Sequence, residues 1–304
     1  MELNSRKVLI SVCGSTAAGK TALAIELAQH FQTEIISADS RQFYREMEAG
    51  TAKPSAEELG VVPHHFVNSH SITESFSVAD FEKAALKRLD HLFKKHKIAI
   101  IAGGSGLYLQ AVYQGFDDLP DIDLKEREKW NRLYQEFGLE YLKAQLQILD
   151  PEYHGQVDLQ NPQRIIRALE VTSSTGKPFS SLLTKTRKER DFKIIKIGIN
   201  PERAILYDRI NQRVDAMIEK GLVKEALALL PYQDLNALNT VGYKELFEAF
   251  NKNTPVKEAI EKIKQNTRRF AKRQVTWFKK DQEIKWFATP YLEPVLDYIL
   301  PLIG

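Results

Sequence analysis

The chain has 304 residues, of which 43% are hydrophobic and 27% charged, a balance typical of a water-soluble protein with one large domain or two ordinary ones. No apolar run is long enough to span a bilayer, and Cys13 is the only cysteine. An intrachain disulfide and a cysteine metal cluster are therefore excluded, and a reducing cytoplasm fits. The net charge of +3, from 43 basic against 40 acidic residues, names no partner by itself.

The opening string lacks the small-residue cleavage site of a signal peptide, so its apolar run from Val8 to Val12 reads as a first core strand. It meets Gly14, and Thr21 to His30 follows with helical spacing, Leu23, Leu27 and Phe31 forming the stripe. "EIISADS" is a second short strand ending at Asp39. In "SVADFEKAALKRLDHLFKKH", Phe81, Ala85, Leu89 and Leu92 fall on one helix face. "KIAIIAGGSGLYL" is a buried strand with a glycine turn that opens another helix. Strand and helix alternate, so the fold class is α/β, a parallel sheet flanked by helices. In such sheets ligands gather beyond the carboxyl ends of the strands, where Gly14–Thr21, Asp39 and Gly103–Tyr108 should converge.

From about Pro120 the pattern becomes charged and helix-periodic. "NPQRIIRALEVTSSTG" is a helix capped by Asn161, with Pro162 at its first position and an end near Gly176. A strand returns at "FKIIKIGIN", and the remainder reads as helical. We therefore expect a core of residues 1–119 and 191–304 interrupted by a helical insertion, 120–190. Positive charge concentrates in "TKTRKERDFK" and in "KIKQNTRRFAKRQVTWFKK", the second interleaved with Phe270, Trp277 and Phe278. Basic residues with aromatics suit nucleic acid; charge alone slightly favours a solvated helix face.

"GSTAAGKT" is the strongest chemical signal. Gly14 and Gly19 let the backbone turn its amides inward, around Ser15, Thr16, Ala17 and Ala18. With the helix N-terminus they form an anion nest. Lys20 is a mobile charge for the terminal phosphate, and Thr21 offers a hydroxyl to Mg²⁺. A GTPase base-reading motif is missing, since "NKNT" and "TKTR" lack the aspartate. "IAIIA" ends in Gly103-Gly104-Ser105 rather than in the acidic residue of a switch ATPase. Asp39 is the candidate acid or base, with a metal ligand or helix cap as the plainer roles. Ser40, Gln42 and Tyr44 beside it have side chains suited to reading a base. His64 and His65, adjacent and without a third ligand, read as structural or substrate-gating. Taken alone, the N-terminal part also fits an ATP-dependent small-molecule or nucleoside kinase.

Eight strings in order, "GSTAAGKT", "IISADSRQFYREMEAGTAKP", "VPHH", "AGGSGLYLQA", "NPQRIIRALEV", "LYDRINQRVDAMIEKGLVKE", "NTVGYKE" and "TRRFAKRQVTWFKK", closely resemble the bacterial tRNA dimethylallyltransferases. The resemblance runs from about Val8 to Lys280. It implies that the loop binds the diphosphate of dimethylallyl diphosphate with Mg²⁺, and that the group is transferred to the exocyclic amine of the adenine 3′ to the anticodon. By the same resemblance Asp39 is the general base, Ser105 lies near the acceptor amine, and Arg209, ahead of Arg213, assists the leaving group. Ser40, Arg41 and Gln42 would contact the target adenine and its neighbours, Gln42 as a bidentate amide. Gln163, Arg164 and Arg167 would wedge the opened anticodon loop, with Ile165 and Ile166 between them counted as tRNA-binding. Gly242, Tyr243 and Lys244, with Lys272, Arg273, Gln274 and Trp277, would make further tRNA contacts. The insertion would close on the anticodon stem, the adenine reaching a channel between the domains.

The resemblance implies a cytoplasmic enzyme without a membrane partner, and nothing demands more than a monomer. Ser15 stands where the family usually has Pro, Ala18 where it has Ser, Arg41 where it has Met, Phe43 where it has Val, and Ser105 where it has Thr. The zinc module of the eukaryotic relatives has no counterpart. A kinase leaves the basic C-terminal helix without a role. A non-catalytic RNA-binding protein leaves Lys20, Thr21, Asp39 and Arg209 unexplained.

Overall fold

The computed structural model describes residues 7–117, 119–120, 122–184 and 186–303, with Leu124 described by its backbone alone. Lys185, in the first basic tract, lies outside the described residues. The chain divides into two compact units, Met1–Gln114 with Glu189–Gly304, and Gly115–Lys188.

The first unit is a parallel α/β structure. In chain order it holds β1 (Val8–Gly14), α1 (Lys20–His30), β2 (Ile35–Ser37), α2 (Ala56–Val61), β3 (His64–His65), α3 (Val78–Leu92), β4 (Ile98–Gly103) and α4 (Gly106–Gln114). The second unit contributes α5 (Leu124–Leu149), α6 (Pro151–His154), α7 (Pro162–Thr175) and α8 (Phe179–Leu182). The chain then returns to the first unit with β5 (Lys193–Ile199), α9 (Arg203–Glu219), α10 (Leu222–Leu229), α11 (Tyr243–Lys252), α12 (Val256–Phe278), β6 (Lys285–Phe287) and α13 (Leu292–Ile303).

The sheet runs β3-β2-β4-β1-β5-β6, with every pairing parallel. β1 is central and buried along its whole length, as a parallel strand covered on both faces should be. Its alternate side chains feed two cores. Leu9 and Cys13 face the α3, α4 and α12 side, while Val8, Ile10 and Val12 face α1 and α13. Phe81, Ala85, Leu89 and Leu92 form the buried stripe of α3, which opens with a capping box between Ser77 and Asp80. Cys13 is a buried core thiol, and burial pushes it up to about 12, out of the reactive range. Two strands escape the sequence reading. β3 and β6 are edge strands of 2 and 3 residues, too short for any alternation to show.

The second unit is helical. Gly138, at φ 76° and ψ −171°, breaks α5 into two segments. Asn161 caps α7 through its side chain, Pro162 takes the first position, and Gly176 closes it at φ 68°. Ile165, Ile166 and Leu169 pack with Trp130, Leu142 and Leu146. The carboxylate of Glu170, fully buried, accepts from Arg127 at 2.7 and 2.8 Å and from Arg167 at 2.8 Å.

Candidate active site

The turn from β1 into α1 is built on backbone geometry. Gly14 has φ 142°, and a Cβ there would fall 2.5 Å from the carbonyl oxygen of Ile199 on the neighbouring strand. Ala17 has φ 60° and Gly19 φ 97°, so with Gly14 the loop takes positive φ at three residues. The methyl of Ala18 is fully buried in the core beside α1, where a serine hydroxyl would need a partner. Ser15 is also fully buried, and its hydroxyl has no partner among the described residues. Lys20 folds back to donate to the Ser15 carbonyl at 2.5 Å. Burial, then the nearby Arg213, push its ammonium down to about 8, with Asp39 opposing. The loop is thus short of negative charge.

Lys20, Thr21, Asp39, Ser105 and Arg213 all line one cavity of about 410 Å³. Arg213, on α9, donates to Thr16 Oγ1 and to the Ala52 carbonyl, both at 3.2 Å. Burial lowers its guanidinium and Asp39 partly offsets this. The resemblance put Arg209 first, but the structure brings Arg213 into the cavity with Asp39. Arg209, one turn earlier, lines an adjoining opening over Ala17–Ala22 together with Arg213.

Opposite the loop, Asp39 Oδ1 accepts the Arg41 amide at 3.0 Å. Ser105 Oγ accepts the Ser40 amide at 3.0 Å and donates to Ser40 Oγ at 3.3 Å. The turn before α4 therefore braces the residue after Asp39. Three neighbours differ from expectation. Gln42 is buried; its Nε2 donates to the carbonyls of Thr51 and Ala52, and its Oε1 accepts from Ser37 Oγ. Both ends of the amide are used by the protein, so it does not read a base as it stands. Tyr44 is only 6% exposed, in the aromatic cluster centred on Phe43, which explains Phe43 itself: its ring stacks on Phe81 with centroids 5.5 Å apart. Arg41 lines the cavity, and its guanidinium donates to the carbonyls of Asn236, Ala237 and Asn239.

The expected tRNA residues divide by helix face. On α7, Gln163 and Arg164 are exposed, whereas Ile165 and Ile166 are 0% and 3% exposed. Those two belong to the core, and Arg167 is tied to Glu170. Lys244 is exposed and lines the cavity, but Gly242 and Tyr243 are buried. Tyr243 donates to Glu225 at 2.6 Å, and burial with that carboxylate raises its hydroxyl far above the usual phenol range. On α12, Lys272 and Arg273 are exposed, with Arg273 over the Phe270 ring. Gln274 is buried and bonded to the phosphate loop, and Trp277 is packed against Gly106.

Glu225 was not singled out from the sequence. Its carboxylate accepts the amides of Glu48, Ala49 and Gly50 as well as Tyr243, and so holds the cavity wall whose next carbonyls engage Gln42 and Arg213. The available signal was Gly50, where a Cβ would meet Tyr243 Oη at 2.3 Å. His65 Nε2 bonds Glu34 at 2.5 Å, whereas His64, on the cavity wall, bonds the Val62 carbonyl through Nδ1 at 2.8 Å and keeps its buried Nε2 without a partner among the described residues. Among the described residues no group of three or more His, Cys, Asp or Glu is able to hold a metal. A cation here would share ligand oxygens, as Mg²⁺ commonly does, and the Thr21 hydroxyl on the cavity wall suits it. Among the described residues no helix is long and apolar enough to cross a membrane.

Comparison with known proteins agrees with this geometry. The family profile described as IPP transferase matches residues 42–281. A tRNA dimethylallyltransferase of Christiangramia forsetii is 55% identical over 292 residues, covering 96% of this chain and 97% of the relative. One from Flavobacterium johnsoniae is 51% identical, covering 92% and 93%. Among solved structures, the tRNA isopentenylpyrophosphate transferase of Bacillus halodurans matches with a TM-score of 0.72 at 35% identity, covering 98% of this chain and 97% of that one. A eukaryotic dimethylallyltransferase described as acting on tRNA matches with a TM-score of 0.78 at 25% identity, covering 97% and 80%. With its phosphate loop, its strand-end aspartate and its arginine meeting in one cavity, the chain belongs to the IPP transferase family.

Proposed function

We propose that the chain transfers a dimethylallyl group from dimethylallyl diphosphate to the exocyclic amine of the adenine 3′ to the anticodon in tRNA, releasing diphosphate. The observation that carries this reading is the convergence of Lys20, Thr21, Asp39, Ser105 and Arg213 on one cavity. The relatives named tRNA dimethylallyltransferase, similar along nearly the whole chain, support it.

The chemistry follows from the charges. The allylic carbon–oxygen bond breaks as the carbon–nitrogen bond forms, and negative charge grows on the diphosphate. The loop amides, Lys20 and Arg213 stabilise that charge where it develops. The adenine amine is a weak nucleophile, and its proton passes to the Asp39 carboxylate as the bond forms. Ser105, already bonded to Ser40, holds the acceptor side of the cavity. The Thr21 hydroxyl would help to hold Mg²⁺, which would supply further charge neutralisation for the leaving diphosphate.

The exposed Gln163, Arg164, Lys244, Lys272 and Arg273 are assigned to the tRNA. Loop bases cost less to extrude than paired ones, which suits an anticodon-loop target. One chain supplies every named group, so a monomer is sufficient, and the reaction is assigned to the cytoplasm. The test is incubation with unmodified tRNA, Mg²⁺ and either dimethylallyl diphosphate or ATP, followed by mass analysis of the nucleosides. Prenylated adenosine from the first donor is expected. A phosphorylated product from ATP, with no prenylation, would establish a kinase instead.

A further inference from the structure

We infer that Gln274 is a positioning residue that sets the spacing between the diphosphate loop and the acceptor side of the cavity. The inference rests on the reaction proposed above and adds a component to it. Gln274 lies on α12 and is 9% exposed. Its Oε1 accepts the Thr16 amide at 2.8 Å, and its Nε2 donates to the Gly104 carbonyl at 2.8 Å. One planar amide therefore joins the loop after β1 to the turn after β4.

Each end of this bridge continues into the chemistry. Thr16 belongs to the phosphate loop, and its hydroxyl is held by Arg213. Gly104 precedes Ser105, whose amide donates to the Ala38 carbonyl and whose Oγ accepts the Ser40 amide, on either side of Asp39. Leaving group and base are thus referenced to the two ends of a single side chain. There is no slack on the acceptor side. A Cβ on Gly104 would sit 2.5 Å from Gln274 Nε2, and one on Gly103 would sit 2.2 Å from the Ala38 carbonyl oxygen.

The chemistry of the bridge needs glutamine. It must accept from an N–H at one end and donate to a C=O at the other. Asparagine is a methylene short, and glutamate sets a carboxylate against the Gly104 carbonyl. Gln274 also takes up the Thr16 amide itself, so its contribution to the diphosphate is to the loop's position and not to the number of free amides facing the anion.

Displacement at carbon requires the acceptor nitrogen and the allylic carbon to be held close and aligned. Without the bridge each substrate still finds its own site, but the two sites lose their fixed separation. Gln274→Met keeps length and bulk and removes both hydrogen bonds. The expected result is a single-turnover transfer rate lower by about 10²-fold with both substrates saturating. Affinities for inorganic diphosphate and for unmodified tRNA, measured separately at equilibrium, stay unchanged. Gly104→Ala pushes on the same bridge from its other end and is expected to give the same split. It keeps the test open if the first variant folds poorly.

An undiminished rate in a folded variant, or a loss confined to diphosphate affinity, would overturn the assignment. If the wild-type chain binds diphosphate and tRNA but transfers nothing, the proposed reaction has failed and the bridge with it. Wild-type transfer beside an unaffected variant removes the bridge alone.

Discussion

The loop Gly14–Thr21 and the helix stretch Phe270–Trp277 were both marked by contiguous strings, and the structure treats them differently. In the loop, the proposed anion site is made of backbone amides and two side chains at the helix start, so adjacent residues would act together. Along the helix, adjacent residues point about 100° apart. Arg273 reaches solvent, Gln274 reaches the phosphate loop, and Trp277 packs on Gly106. A string on a helix is not a surface, and the same division separates Arg164 from Ile165 on α7.

The comparison is broken most sharply at Asp39, which the loop side requires to be chemical. Asp39→Asn keeps size and the hydrogen bond to the Arg41 amide but cannot take a proton. Single-turnover transfer should fall by ~10²–10⁴-fold with substrate affinities nearly unchanged. Titration with Mg²⁺ checks the alternative, since rescue by excess metal means that Asp39 is chiefly a metal ligand.

The two arginines of α9 come next. Arg213→Ala removes the guanidinium that faces Thr16 and the cavity, and should cost about 10²–10³-fold in the chemical step, as loss of one charge-stabilising donor does. Arg209→Ala should cost less. Transfer rates for the pair decide it, and a larger loss for Arg209 restores the order that the resemblance implied.

The helix side is sharpened by a buried–exposed pair. Ile165→Ala should destabilise the second unit by ~2–5 kcal/mol, the usual range for emptying a core site. Its tRNA affinity, measured where the protein is still folded, should not change. Arg164→Ala should leave stability alone, weaken tRNA binding and lower the salt slope by about 1. Denaturant melts and tRNA titrations in graded salt separate the two. A loss of tRNA affinity without destabilisation at Ile165 would return that residue to the RNA surface.

The smallest effect is a pH dependence. The ammonium of Lys20 is pushed down to about 8 in the free protein, and a bound diphosphate must raise it. Diphosphate affinity is then full below pH 8 and falls by roughly tenfold per unit as pH rises from there to the bound value. Calorimetry at pH 7 and pH 9 should show weaker binding and proton uptake at the higher pH. The unliganded fold behaves oppositely. Its lysine binds fewer protons than the unfolded chain between about 8 and 10.5, so stability gains from rising pH across that window.

The sequence alone determined the phosphate loop, the α/β class, the cap and stop of α7 and the buried stripe of α3. Each is written in residues near one another, through glycine's freedom at positive φ, a helix cap or a 3.6-residue period. It also marked Asp39 and Ser105, because both follow apolar strands and parallel topology sends strand ends to one edge. Only the tertiary structure decided which side chains face the cavity. Gln42, Tyr243 and Gln274 have side chains able to meet RNA, yet their hydrogen bonds are taken by Thr51 and Ala52, by Glu225, and by Thr16 and Gly104. Those partners lie up to 258 residues away in the chain. A buried polar group must find a partner wherever the fold supplies one, and no local pattern records where that is.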